Sequence, residues 1–338
     1  MKAFEVNSKK KRFNVIYVEE KAFLYPAAQK ILEKYPTSSI IPIKSYKHVF
    51  NRKNQDPLWQ NQHPALILAV KEAPFLYDGP NICQSFGCER FFYTSFLLGC
   101  PFDCEYCYLQ GMYPSSYTVA FVNWEDFSTA IETELSQEKD EPLFLAASYD
   151  TDLMAFQTIF PYLDVLSSLF EKKNLLFEVR TKSAPTRFFQ ENEPKDALLF
   201  AFSLAPDEVI SRFEKNTPRL SARLQAIQAA QQNGFRVRLC FDPIFAEDTL
   251  LPFYPDFFRQ VFAAVDSKKI EDISYGFFRM NHDFFRRIRK KRPNAALFLQ
   301  DFPKGNIISY EKEKQKSVQE YHLFLLSQYI EKEKIYPL

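Results

Sequence analysis

Glycine is scarce, at 7 of 338 residues. Folds that cradle phosphates in a Gly-rich loop need several glycines within a few positions, so a ligand held that way is not expected here. Net charge is nearly absent as well: 43 Lys and Arg offset 42 Asp and Glu, leaving +1. No field of the whole molecule then draws it to nucleic acid or a membrane, and any such attraction must come from a local patch. Long apolar runs are missing. The longest, Ala65 to Val70, is the size of a strand, whereas a membrane helix needs roughly 18 residues. The opening MKAFEVNSKKKRF also lacks the apolar stretch of a secretory signal. These absences point away from a membrane and towards a cytoplasmic, reducing location. There, clustered cysteines serve metal or redox chemistry more often than a disulfide framework.

Phenylalanine is abundant: 36 Phe in a chain 46% hydrophobic and 25% charged describe a globular protein with a large core. Residues 1–90 read as an irregular α/β extension, with a strand at Asn14–Val18, a helix from Pro26 to about Tyr35, a polar loop at Gln55–Pro64 and a strand at Leu66–Val70. From residue 91 to about 300 the pattern turns regular. Strands are expected at Phe92–Leu98, Leu143–Ala147, Leu175–Thr181, Ala197–Ser203, Phe235–Phe241 and Ile270–Phe277, with helices at Trp124–Gln137, Pro161–Lys173 and Pro218–Asn233 between them. The last helix carries its own punctuation: Thr217 to cap it, Pro218 at its first position and Gly234 just past its end. Strands alternating with helices predict an α/β fold with a parallel sheet and right-handed crossovers, its ligand at the C-terminal strand ends. Residues 301–338 form a C-terminal segment, and Tyr310–Leu338 reads as a charged helix with an apolar stripe.

Five of the six cysteines, Cys83, Cys88, Cys100, Cys104 and Cys107, lie within 25 residues, and only Cys240 stands apart. The segment Gly99-Cys100-Pro101-Phe102-Asp103-Cys104-Glu105-Tyr106-Cys107-Tyr108 has the spacing C-x3-C-x2-C directly after the first expected barrel strand. Three thiolates on one short loop suit three corners of a [4Fe–4S] cube with one iron open. A structural zinc site wants four ligands, commonly in paired C-x2-C knuckles. Cys83 and Cys88 read either as a second metal pair or as buried small hydrophobes.

The C-x3-C-x2-C loop resembles that of the radical S-adenosylmethionine (SAM) enzymes. That likeness implies a partial (β/α)6 barrel in which SAM chelates the open iron and is cleaved to a 5′-deoxyadenosyl radical. The stretch GCPFDCEYCYLQGMYP is similar to the cluster loop of the spore photoproduct lyase family. YVEEKAFLYPAAQKILEKY and FSLAPDEVISRFEKNTPRLSARLQAIQAAQQNGFRVRLCFDPIF resemble its opening elements and its late barrel strands. The resemblance implies repair of a methylene-bridged thymine dimer in DNA, a lesion that must leave the base stack to be reached. It also implies a reducing partner such as a flavodoxin or ferredoxin. Residue by residue, it makes Cys100, Cys104 and Cys107 cluster ligands and puts Tyr106 and Tyr108 near the radical pathway. Thr151, Asp152, Lys182, Ser203 and Asp242 become contacts to SAM, with the Lys182 ammonium a point charge for its carboxylate.

Two departures fall on the substrate side. Where the family's lyases place the cysteine that returns a hydrogen atom to the product, the chain reads Ala146-Ala147-Ser148-Tyr149-Asp150. A serine O–H bond is too strong for that task, which leaves Tyr149 or Cys240 as substitutes. Cys240 equally suits a buried core position. The family's basic, aromatic hairpin near the C-terminus corresponds only to Lys304–Tyr310, which is poorer in both residue types. A separate basic run, Arg286, Arg287, Arg289, Lys290, Lys291 and Arg292, is either a solvated helix face or a phosphate-binding patch, and Lys9–Arg12 is a second cluster. Two other readings stay open: a radical SAM enzyme of this family acting on a different substrate, and a non-enzymatic metal-containing nucleic-acid-binding protein.

Overall fold

The computed structural model describes residues 13–137 and 141–338, and the Lys9–Arg12 cluster lies outside them. Two sheets organise the chain. The first has five strands in the order Ser39–Ile43, Val15–Glu19, Ala65–Ala69, Thr118–Phe121 and Leu97–Leu98, the first four parallel and the last antiparallel. Ala65–Ala69 lies at its centre and is buried throughout, as a continuous apolar run in a parallel sheet should be. Ser39–Ile43 carries Pro42 and sits at the edge, where a missing N–H donor is tolerated.

The second sheet curls into a half-barrel. Its six central strands, all parallel, are Phe91–Tyr93, Leu143–Ala146, Leu175–Thr181, Leu198–Ser203, Arg236–Ile244 and Ile270–Phe277. These are the six strands expected from the sequence, in chain order. Tyr77–Asp78 adds an antiparallel edge, and Ile335–Pro337 pairs parallel with the last barrel strand at the other edge. Helices and 3-10 turns pack outside, held by aromatic contacts such as the mutual edge-on packing of Phe189, Phe200 and Phe235.

Four local expectations are corrected. The run Phe92–Leu98 is not one strand: Phe91–Tyr93 joins the barrel, while Leu97–Leu98 crosses to the other sheet. The break coincides with polar side chains turned inward, Thr94 bonding the Phe75 carbonyl at 2.9 Å and Ser95 bonding Asp150. Pro161–Lys173 forms only a helical turn at Tyr162–Val165 and a 3-10 stretch at Ser167–Glu171. The helix expected from Pro218 begins at Leu220, because the Thr217 hydroxyl bonds the Glu214 carbonyl at 2.9 Å instead of capping. Its far end is as read: Gly234 takes φ +79°, and Phe235 N–H closes onto the Ala230 carbonyl at 3.0 Å. The tail is helical only over Lys312–Leu326 before it returns as the edge strand. No helix among the described residues is long and apolar enough to cross a membrane.

Candidate active site

The cysteine loop leaves Leu98 through Gly99, whose φ of +92° suits glycine. A Cβ there would also stand 2.7 Å from the Tyr117 carbonyl oxygen. Three sets of contacts hold the loop. Asp103 and Cys104 pair antiparallel with Lys215 and Glu214, and Glu105 N–H reaches the Phe213 carbonyl at 2.7 Å. Thr151 Oγ1 donates to the Gly99 carbonyl at 2.8 Å. Asp103 accepts from Arg292 and, at 3.1 Å, from Asn61.

Behind the loop lies a buried ionic knot that the sequence reading missed. Arg223 is fully buried, pairs with Glu214 and donates to the Ser203 carbonyl at 2.9 Å. Glu214 also accepts the Tyr106 hydroxyl. Burial alone would raise the Glu214 carboxyl, but Arg223 and Lys182 outweigh it and hold the group below its ordinary value. The available signal was an arginine at position 223 inside the stripe Leu220, Leu224, Ile227 of an otherwise apolar helix face.

A cavity of about 600 Å³ opens at the C-terminal ends of the barrel strands, lined by Cys100, Cys104 and Cys107 together with Thr151, Asp152, Lys182, Ser203 and Asp242. All eight residues singled out as ligands or cofactor contacts thus reach one space. Burial pushes the three thiols above the ordinary cysteine value, and metal binding is what would draw out their thiolates. Among the described residues no three His, Cys, Asp or Glu side chains converge tightly enough for a single metal ion. A structural zinc clip gathers four ligands round one ion, whereas in an iron–sulfur cube each thiolate takes a separate iron. Burial alone would lower Lys182, but Glu214 and the neighbouring cysteines raise it, so the ammonium stays charged. It lies 5.4 Å from the Tyr106 ring centre. These residues fit a cluster with a bound SAM: three thiols, a charged ammonium for a carboxylate, and the Ser203 hydroxyl beside them.

Other candidates have structural duties. Asp152 takes Thr181 Oγ1 at 2.8 Å, the Lys182 backbone N–H at 2.7 Å and Ser183 Oγ at 3.1 Å, so it ties the second strand's exit to the third's. Asp242 grips Arg279 in a fork at 2.8 and 3.1 Å. Tyr108 donates to the Tyr149 carbonyl, and Tyr149 packs on Tyr93 with ring centres 4.2 Å apart. Ser148 also lines the cavity, its buried hydroxyl without a protein partner. Cys240 is fully buried and is not among the lining residues. Cys83 is among them, from a loop that precedes the first barrel strand.

The basic run divides. Arg292 is buried against Asp103, Arg287 donates to the Gly111 carbonyl at 3.2 Å, and Lys291 donates to the Gln110 carbonyl at 3.0 Å. Arg292 braces the cluster loop itself, and Arg287 and Lys291 brace the segment after it, where Phe284 packs so closely on Gly111 that a Cβ would meet it at 2.6 Å. Arg286, Arg289 and Lys290 are exposed. The stretch near Lys304 forms a short ribbon, Ile307–Ser309 pairing antiparallel with Arg279–Asn281, and Ile307 and Met280 reach the cavity.

A parallel half-barrel with a three-cysteine loop after its first strand, opening on a cavity at its strand ends, is the radical SAM class of fold. A sequence profile described as spore photoproduct lyase matches residues 12–334. The spore photoproduct lyase of a Geobacillus strain is 23% identical over 308 residues, covering 87% of this chain and 83% of the relative. That of Bacillus subtilis is 23% identical over 297 residues, covering 85% and 84%. A solved spore photoproduct lyase complexed with dinucleoside spore photoproduct superposes with a TM-score of 0.82 at 18% identity, over 96% of this chain and 98% of that one. A double mutant with bound AdoMet and the same dinucleoside gives 0.77 at 19%, over 97% and 99%. The chain belongs to the spore photoproduct lyase family.

Proposed function

We propose that this chain is a radical SAM lyase that repairs the spore photoproduct, a thymine-dimer lesion of DNA, with a [4Fe–4S] cluster and SAM. The observation that carries the reading is the convergence of Cys100, Cys104, Cys107, Lys182 and Ser203 on one cavity, in a chain of this family. When bound, the cluster and SAM supply a 5′-deoxyadenosyl radical for hydrogen abstraction. The chain's own part is to fix and enclose. Cys100, Cys104 and Cys107 would hold three irons. Lys182 would pair with the SAM carboxylate, kept charged by Glu214. Thr151 and Asp152 shape the wall through the Gly99 and Thr181–Ser183 bonds, and Tyr106, tied to Glu214, backs the cluster loop. The opposite wall, with Tyr149, Arg279, Met280 and Ile307, would meet the flipped-out lesion, and Arg286, Arg289 and Lys290 can meet phosphates. A flavodoxin- or ferredoxin-type protein would deliver the electrons.

Anaerobic reconstitution followed by incubation with SAM, reductant and dinucleoside spore photoproduct tests the reading. Thymine dinucleoside should appear with 5′-deoxyadenosine, from brown protein holding about four irons per chain. Release of 5′-deoxyadenosine with the lesion left intact would instead support the second reading, the same cofactor acting on another substrate. The observation favouring that reading is Ser148 at the position where the family has its donor cysteine.

A further inference from the structure

A second opening lies against the first sheet. This groove holds about 740 Å³, and Tyr17, His48, Arg52, Lys53, Trp59 and Tyr117 are among its lining residues. It shares no lining residue with the cofactor cavity. We propose that it is an accessory DNA site, which takes a nucleotide of the strand outside the lesion, its base against Trp59 and its phosphate on Arg52 and Lys53. The site's role in repair rests on the lyase reading above, whereas binding there needs no cofactor.

Charge marks the region. From Lys34 to Lys71 the chain carries six basic residues, Lys34, Lys44, Lys47, Arg52, Lys53 and Lys71, against one acid, Asp56. In a chain of net charge +1 this is a local positive field, the feature that draws a polyanion. Asp56 is engaged as a cap, accepting the Leu58 and Trp59 N–H groups at 3.0 and 3.1 Å at the start of Pro57–Gln62. Arg52 and Lys53 are exposed and make no ion pair among the described residues.

Aromatic surface supplies the other half. Trp59 is 50% exposed and lies flat on His63, with ring centres 4.2 Å apart and planes at 17°. Tyr17 and Tyr117 add two more rings, 6.3 Å apart. Cations beside an exposed ring are the combination that binds single-stranded nucleic acid: the charges follow the phosphates, and the ring accepts the face of any base. The volume also lies within the range of small-ligand pockets, about 300–1,000 Å³. A nucleotide can enter such a space, whereas the convex face of a folded acidic protein would cover only its rim.

The groove is held in shape without a ligand. Gln60 is buried, donates to Gln55 Oε1 at 2.7 Å, and accepts the Ser116 N–H at 2.8 Å and the Ser115 hydroxyl at 3.2 Å. Gln55 in turn donates to the Phe50 and Arg52 carbonyls at 2.9 and 2.8 Å. Asn54 takes φ +57°, a conformation asparagine tolerates better than most residues. The loop carrying Arg52 and Lys53 is thus ordered beforehand, and little further ordering is needed on binding. The same region is bonded to the frame of the reaction site. Asn61 donates to Asp103 of the cluster loop at 3.1 Å, and the Phe50 ring packs 5.1 Å from that of Tyr113, in the segment after that loop. A strand held here is anchored to the body that carries the three cysteines, without entering their cavity.

The probe is oligothymidylate without a lesion, titrated into the reconstituted full chain. The chain has two tryptophans, and Trp124 is buried with its indole N–H on the Phe121 carbonyl at 2.8 Å, so fluorescence quenching reads Trp59. Oligothymidylate should quench the emission. Trp59→Ala should weaken binding by at least about fivefold, measured by the anisotropy of a labelled oligonucleotide, and Trp59→Phe, which keeps a ring, should recover most of that loss. Arg52→Gln with Lys53→Gln should reduce the slope of log affinity against log salt by about 0.7 for each lost phosphate contact. In repair, the variant combining Arg52→Gln, Lys53→Gln and Trp59→Ala should lose the advantage of a long substrate. Its ratio of kcat/KM for the lesion in an oligonucleotide to kcat/KM for the dinucleoside should fall by at least about fivefold, through KM. Absence of quenching, or an affinity unchanged in Trp59→Ala, would overturn the proposal. So would an equal loss in Leu58→Ala, an exposed neighbour that does not line the groove. Native-like oligonucleotide binding in the combined variant, with slower reduction of its cluster by a flavodoxin, would also overturn it and give the surface to the reducing partner. Native chain that releases 5′-deoxyadenosine but repairs no lesion would overturn the lyase reading alone, because quenching and anisotropy need no lesion.

Discussion

The two walls of the cavity are built on different principles. On the cofactor wall, three thiols sit within eight residues of chain, and their backing is an ionic knot of Arg223, Glu214, Tyr106 and Lys182 drawn from the first, third and fourth barrel units. On the opposite wall, the side chains come from far apart: Cys83 from the entry loop, Ser148 and Tyr149 from the second strand's exit, Arg279 and Met280 from beyond the sixth strand, Ile307 from the C-terminal ribbon. One wall would hold a fixed inorganic group and so tolerate little change. The other is a coalition of loops, the parts of a fold that vary most easily. The departures from the family pattern, Ser148 and the plain ribbon near Lys304, both fall on that second wall.

If the division is real, variants should sort by wall. Largest of all should be replacement of Cys100, Cys104 or Cys107 by Ala, which should abolish cluster binding and 5′-deoxyadenosine release; iron and sulfide content and visible absorbance after reconstitution check it. A single variant that keeps a full cluster would break the comparison. Next, Arg223→Ala should destabilise the chain by about 3–5 kcal/mol, because it leaves Glu214 buried without its ion-pair partner, read as a lower urea midpoint. The same knot sets an acid limit. Glu214 is held below its ordinary 4.5, so its stabilisation is full above that pH and is lost as pH falls through the lower folded value. Glu214→Gln should flatten the stability profile in that acid range.

Lys182→Ala should weaken SAM binding about tenfold, equivalent to 1.4 kcal/mol, in equilibrium binding to reconstituted protein, with cluster content unchanged. Asp242→Asn loosens Arg279 and the loop it holds. It should lower dinucleoside repair several-fold while 5′-deoxyadenosine release in the absence of substrate stays near native, the signature of the substrate wall. Smallest is the surface effect. Neutralising Arg286, Arg289 and Lys290 should leave stability alone and reduce the slope of log affinity for DNA against log salt by about 0.9 for each lost phosphate contact. Arg292→Met should instead cost stability, because its partner Asp103 belongs to the cluster loop.

The cofactor wall was legible because its information is local. C-x3-C-x2-C is a statement about one loop, and six apolar strands at regular intervals with helices between them placed that loop at a strand end. Lys182 and Ser203 came from the family resemblance, each at the exit of an expected strand, and both line the cavity. Three things escaped. Phe92–Leu98 reads as one strand on apolar content, but Thr94 and Ser95 have inward partners, and the chain changes sheets there. Arg287, Lys291 and Arg292 look in sequence like Arg289 and Lys290, yet these three bond Gly111, Gln110 and Asp103, and only Arg292 is buried. Cys83 read only as half of a metal pair or a buried small hydrophobe, yet it lines the cavity, while Cys240, offered as a substitute donor, is buried away from it.

By itself the sequence determined the six barrel strands and the three-cysteine loop at a strand end. Those follow from periodicity and short-range spacing, which the chain carries locally. Only the tertiary structure decided which cysteines line the cavity, which arginines are bonded away, and that the C-terminus returns as an edge strand on the barrel. Each of these depends on contacts between residues far apart in the chain, set by how two sheets and their loops pack, and no local pattern records them.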